Sequence, residues 1–130
     1  MDKKVTPNPQ TTKIEDVIMP NKITVDHNGQ VFVFRIPSAY DELEIDALMA
    51  EILRTITKSY MPRFVLGVRG TALLRAEATL RILLEKAPEW VYSKDENGAP
   101  IIDAKKWNPK QVDILLEVVD KFYEEKERFQ

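Results

Sequence analysis

The sequence predicts a mainly helical α+β domain, three helices with two small β-hairpins. Three observations carry that prediction. Three stretches repeat apolar residues at three- and four-residue steps, the period of a helix with a buried face. Two Asn-Gly pairs, Asn28-Gly29 and Asn97-Gly98, sit in polar tips between short runs that suit strands, the local signature of a hairpin turn. The chain has 130 residues and no internal repeat, which fits a single domain. We expect a flexible or extended arm over residues 1–21 and one globular domain over 22–130.

The arm is polar through residue 13, with Pro7 and Pro9 and no periodicity. Ile14–Met19, before Pro20, suits one helical turn or a short docking segment. The first hairpin pairs Lys22–Val25, which alternates, with Val31–Ile36, which is rich in β-branched and aromatic residues. Its second strand is apolar on both faces. One face must cover helices, and the other meets the arm or a second protein. Pro37 ends the hairpin. Ser38 and Asp41 stand at capping-box spacing, although Asp reaches back less well than Glu. The first helix is expected from about Tyr40 to Ser59, stopping before Pro62. Ile45, Leu48, Met49, Ile52, Leu53, Ile56 and Tyr60 form its stripe. Asp41, Glu42, Glu44 and Asp46 near its start and Arg54 and Lys58 near its end match the helix dipole.

Met61–Gly70 is an apolar connector with two glycines. The central helix follows, with Thr71 as expected N-cap and Pro88 closing it after Ala87. Leu73, Ala76, Leu80, Leu83, Leu84 and Ala87 share one face. Leu74, Ala78 and Ile82 make a second, narrower stripe on roughly the opposite side. A helix with two apolar stripes needs two neighbours. The second stripe either receives the Phe64–Val68 connector or the Trp90 hairpin, or forms a groove for an amphipathic segment of another protein. The second hairpin has Trp90–Tyr92 and Pro100–Ile102 as arms. In the last helix Asn108 is the N-cap, Pro109 sits at N1 and Gln111 at N3. Val112, Leu115, Leu116, Val119, Phe122 and Tyr123 form its stripe, and Phe129 is a possible anchor beyond its charged end.

Composition narrows the chemistry. A net charge of −2 argues against a general nucleic-acid binder. No apolar run approaches the ~18 residues of a membrane span, and no apolar core follows the N-terminal lysines as in a signal peptide. With no cysteine there is neither a disulfide framework nor a thiolate metal site. His27 is the only histidine and falls in an expected turn, where it reads as solvated; a metal centre needs several ligands. Ser38, Ser59 and Ser93 lie at element ends without a histidine partner. Most carboxylate pairs fall on expected solvated helix faces, so no acid–base pair stands out. Gly67-Val-Arg-Gly70 is not a phosphate loop, although Arg69 beside a helix start could hold an anion. Trp90 and Trp107 read as core anchors. No catalytic residue, metal or cofactor is expected, and function must come from binding. The candidate partner-binding residues are Leu74, Ala78 and Ile82 on the central helix, with Phe32 and Phe34 on the hairpin.

Phe34-Arg-Ile-Pro-Ser-Ala-Tyr-Asp-Glu-Leu-Glu-Ile45, Thr71–Leu80, Trp90, Gly98–Asp103 and the closing Phe122 and Tyr123 follow one another in an order that resembles the tail assembly chaperones of long-tailed bacteriophages. The first of these segments is similar to the family's strand, Ile-Pro and helix-start sequence. Thr71–Leu80 is similar to its alanine- and leucine-rich central helix. Trp90, then Gly98-Ala-Pro-Ile-Ile-Asp103, then Phe122 and Tyr123 ending the last helix, follow in the family's order. The resemblance spans about residues 31–125. It implies a small non-enzymatic protein that binds the apolar tape measure protein and keeps it soluble until tail tube protein polymerises around it. It places the chain in the host cytoplasm, as the shorter product of a frameshifted pair or as the protein of a phage without the extension. The two-sided hairpin and the arm have no match in the family pattern. They leave open a structural virion protein, a tail or connector component that self-associates into homo-oligomers.

Overall fold

The structure, a computed structural model, describes residues 22–57 and 67–128. The expected arm, most of the Met61–Gly70 connector and Phe129 lie outside the described residues. Within them the fold is a mainly helical α+β arrangement with three α-helices and two small antiparallel sheets.

Strands β1 (Lys22–His27) and β2 (Gln30–Arg35) form the first hairpin. Asn28 and Gly29 both take positive φ, 54° and 87°, as a two-residue type I′ turn requires. The Gly29 amide donates to Asp26 Oδ1 at 2.9 Å. Ile23 stands opposite Phe34 and Val25 opposite Phe32. Cross-strand partners share a face, so these four side chains point together, and all are buried.

Helix α1 (Ala39–Thr57) opens with the expected capping exchange. The Ser38 amide donates to Asp41 Oδ2 at 2.8 Å and the Asp41 amide donates to Ser38 Oγ at 3.2 Å. The short Asp side chain is held in place by a third residue. Arg35 donates to both carboxylate oxygens, at 2.5 and 3.0 Å, and to the Ile82 carbonyl at 3.2 Å. One guanidinium thus ties the end of β2 to the start of α1 and the end of the next helix.

Helix α2 (Val68–Leu83) departs from expectation at both ends. It starts four residues early, with Gly67 as N-cap at φ −77° and the Thr71 amide already donating to the Gly67 carbonyl at 3.0 Å. Gly67 therefore needs no left-handed backbone; its extended φ/ψ suits an N-cap. The helix also stops early. Leu84 turns to extended backbone, and Leu84–Lys86 becomes strand β3, pairing antiparallel with β2. The hairpin is thus two strands of a three-stranded sheet in the order β1-β2-β3. Pro88 disfavours helical backbone at Ala87 and offers no amide of its own. The unpaired side of β2 supplies the backbone partners that the truncated helix would lack.

Trp90 lies in a 3₁₀ turn, Glu89–Val91, and not in a strand. The second hairpin is only β4 (Ser93–Lys94) with β5 (Pro100–Ile101). The turn lets Trp90 Nε1 donate to Gln30 Oε1 at 2.8 Å, while Val91 is fully buried and its carbonyl accepts from Trp107 Nε1 at 3.0 Å. Helix α3 (Pro109–Glu127) carries the full capping box, with Asn108 Oδ1 accepting from Gln111 N and Gln111 Oε1 accepting from Asn108 N.

The core lies between the sheet and the helices. Phe34 stacks on Phe122 with ring centroids 4.5 Å apart. Ala76, Ala78, Leu80 and Leu83 of α2 join Leu115, Val118, Val119 and Phe122 of α3. Thr79 Oγ1 and Tyr123 Oη, 2.8 Å apart, link the two helices through a polar contact. By contrast α1 contributes one fully buried apolar residue, Ile45.

Candidate functional site

The incomplete burial of α1 defines the site. Its apolar stripe runs the length of the helix, yet beyond Ile45 the side chains of Leu48, Ile52 and Leu53 are only half-buried, and Ile56 is 61% exposed. Between this stripe and α2 lies a groove of about 490 Å³. Leu48, Ile52 and Ile56 line one wall and Leu73 and Leu74 the other. Gly70, in the first turn of α2, also lines it.

The floor near Ala104 is polar and internally satisfied. Glu77, 6% exposed, accepts from Arg81 Nη2 at 2.5 Å and from the Ala104 amide at 3.3 Å. Arg81 Nε donates to the Ile102 carbonyl at 2.9 Å. A buried carboxylate is tolerable only when paired and hydrogen-bonded in this way. The pairing pins the Ile102–Lys105 segment to α2 and fixes that end of the groove. In the sequence Glu77 falls on a charged strip between the two apolar stripes of α2; its burial follows from the Ala104–Lys106 turn packing over it, an element that lacks a periodic signal.

The five sequence-chosen residues divide sharply. Leu74 lines the groove. Ala78, Phe32 and Phe34 are fully buried in the core and present nothing to a partner in this conformation. Ile82 packs half-buried against the core, and its carbonyl is taken by Arg35. The second stripe of α2 is therefore used mostly within the chain. A helix packed by α1, α3 and the sheet together has little circumference left for solvent. The residues that sequence reasoning missed are Leu48, Ile52, Ile56 and Leu73. It assigned them to stripes between helices, where a covered and an uncovered end of the same stripe read alike.

Other expectations resolve locally. Arg69 pairs with Asp113, Nη2 to Oδ1 at 2.6 Å, so it already holds a carboxylate. His27 ends β1 and does not lie in an open turn: its side chain is 12% exposed, with Nδ1 3.5 Å from Glu117 Oε1 on α3. Trp107 is buried and Trp90 packs edge-on to Phe32 at 6.3 Å, as core anchors do. Among the described residues no cluster of three His, Cys, Asp or Glu could hold a metal ion, and no helix is long and apolar enough to cross a membrane. The arrangement suits noncovalent capture of an apolar surface. Comparison with family models, curated proteins and solved structures finds no match to this chain.

Proposed function

We propose that this chain is a non-enzymatic tail assembly chaperone of a long-tailed phage, acting in the host cytoplasm and holding an amphipathic helix of the tape measure protein in the α1–α2 groove. The observation that carries the reading is the uncovered half of the α1 stripe facing Leu73 and Leu74 across a groove. A docked helix would present apolar residues at i, i+3, i+4 and i+7 to those walls. The order of sequence segments over residues 31–125 supplies the family. The charged outer faces of α1 and α3 support solubility of the complex. Tail tube protein is then the factor that displaces the chaperone.

The test is co-expression with the tape measure protein of the same phage, followed by pull-down and measurement of the client's soluble fraction. Ile52→Glu and Ile56→Glu place charge in the groove at half-buried and exposed positions. They should abolish co-purification while leaving the fold intact. A client equally soluble with and without the chain would sink the reading. Persistence of the chain in mature particles as a defined ring would favour a structural virion component.

A further inference from the structure

We propose that β1 is a self-complementary sheet edge through which two copies of this chain pair, joining their three-stranded sheets into one of six strands. The argument is independent of the groove. In the order β1-β2-β3, β1 has β2 on one side and, among the described residues, no strand on the other. His27 and Gln30 close a two-residue loop and form the hydrogen-bonded pair next to it. Antiparallel pairs alternate between bonded and non-bonded. His27, Val25 and Ile23 therefore bond to β2, and the amides and carbonyls of Asp26, Thr24 and Lys22 point away from it.

Those three outward residues read as their own complement. A two-fold axis at Thr24 sets Thr24 against Thr24 of the second copy. It also sets Lys22 against Asp26 of the second copy, and Asp26 against its Lys22. All three pairs are the bonded kind, so both ends of each exchange close two main-chain hydrogen bonds. Thr–Thr and opposite-charge pairs are favourable cross-strand neighbours, with Cβ atoms about 5 Å apart. Thr24 and Asp26 are exposed on the monomer. In the monomer Lys22 is paired with Glu85, its side chain 22% exposed, and Asp26 Oδ1 accepts from the Gly29 amide, so in the dimer Lys22 turns from Glu85 toward Asp26 of the second copy. A one-residue slip would face Lys22 with His27 or Val25 of the second copy and lose the match, which makes the register specific. The interface is isologous, so it closes at a dimer and does not propagate as a fibre. The edge is short, six residues, which places the contact among weak, concentration-dependent associations.

The experiment is analytical ultracentrifugation of the full chain from about 1 to 100 µM, with thermal melts to check the fold. The wild type should pass from monomer to dimer across that range. Thr24→Pro removes an amide that points away from β2, a place where an edge strand accepts proline. It should weaken dimerisation at least tenfold with the melt retained. Lys22→Glu should weaken it similarly, and adding Asp26→Lys should restore most of the lost affinity. A full chain that stays monomeric throughout overturns the proposal. So does a dimer unaffected by Thr24→Pro, or a folded double variant no better than Lys22→Glu alone.

Discussion

Replacing Asp41 with Asn should cost about 1–2 kcal/mol at pH 7 and almost nothing near pH 2. The Arg35 guanidinium, donating to both carboxylate oxygens, together with the Ser38 amide, lowers the Asp41 carboxyl from its ordinary 3.8 to about 2. A depression of nearly two units corresponds to about 2.5 kcal/mol at 1.36 kcal/mol per unit. Arg35 is 39% exposed and water screens it, so the smaller range is the expectation. The sign follows from the direction of the shift. A lowered folded pKa stabilises the native state above the unfolded value, and that contribution fades as pH falls through 3.8 toward 2. Asparagine keeps the shape and a capping oxygen for Ser38, while its NH2 takes the place of the oxygen that accepts from Arg35 Nη2, so the change removes the charge together with that one hydrogen bond. Urea unfolding of both proteins between pH 7 and pH 2.5 reads the difference directly. A gap of under about 0.3 kcal/mol at pH 7, or one that stays constant down to pH 2.5, would refute the reasoning.

Three further outcomes test the packing. Phe34→Ala removes a fully buried ring stacked on Phe122 and should cost about 3–5 kcal/mol in denaturant unfolding, against under about 0.5 for Ile56→Glu on the groove wall. Asn108→Ala breaks the cap of α3 and should lower stability by about 1 kcal/mol, seen in the same unfolding curves. Tyr123→Phe leaves Thr79, which is fully buried, without its hydroxyl partner; a loss of about 1–2 kcal/mol is expected from thermal melts, and no change would mean that water replaces the phenol.

The extent of prediction from sequence differs element by element. The Asn28-Gly29 turn, the Ser38–Asp41 exchange and the Asn108–Gln111 box are encoded within four residues, and the structure has each where the sequence put it. The three helices were legible because periodicity is a property of one segment alone. Leu84–Lys86 was not. Its residues continue the helical period, and only the presence of β2 alongside makes a strand the better arrangement. Trp90–Tyr92 misled in the same way, since β-prone residues adopt a turn where Gln30 and Trp107 supply partners.

The candidate site divides along the same line. The sequence by itself determined the fold class, the N-terminal caps of the first and last helices and the apolar stripe from Ile45 to Ile56. Tertiary structure alone decided that Phe32, Phe34 and Ala78 are core, that Glu77 is buried and paired with the more exposed Arg81, and that the α1 stripe is covered at Ile45 and open at Ile56. The physical reason is that periodicity tells which side of a helix is apolar, whereas cover depends on where neighbours distant in the chain begin and end.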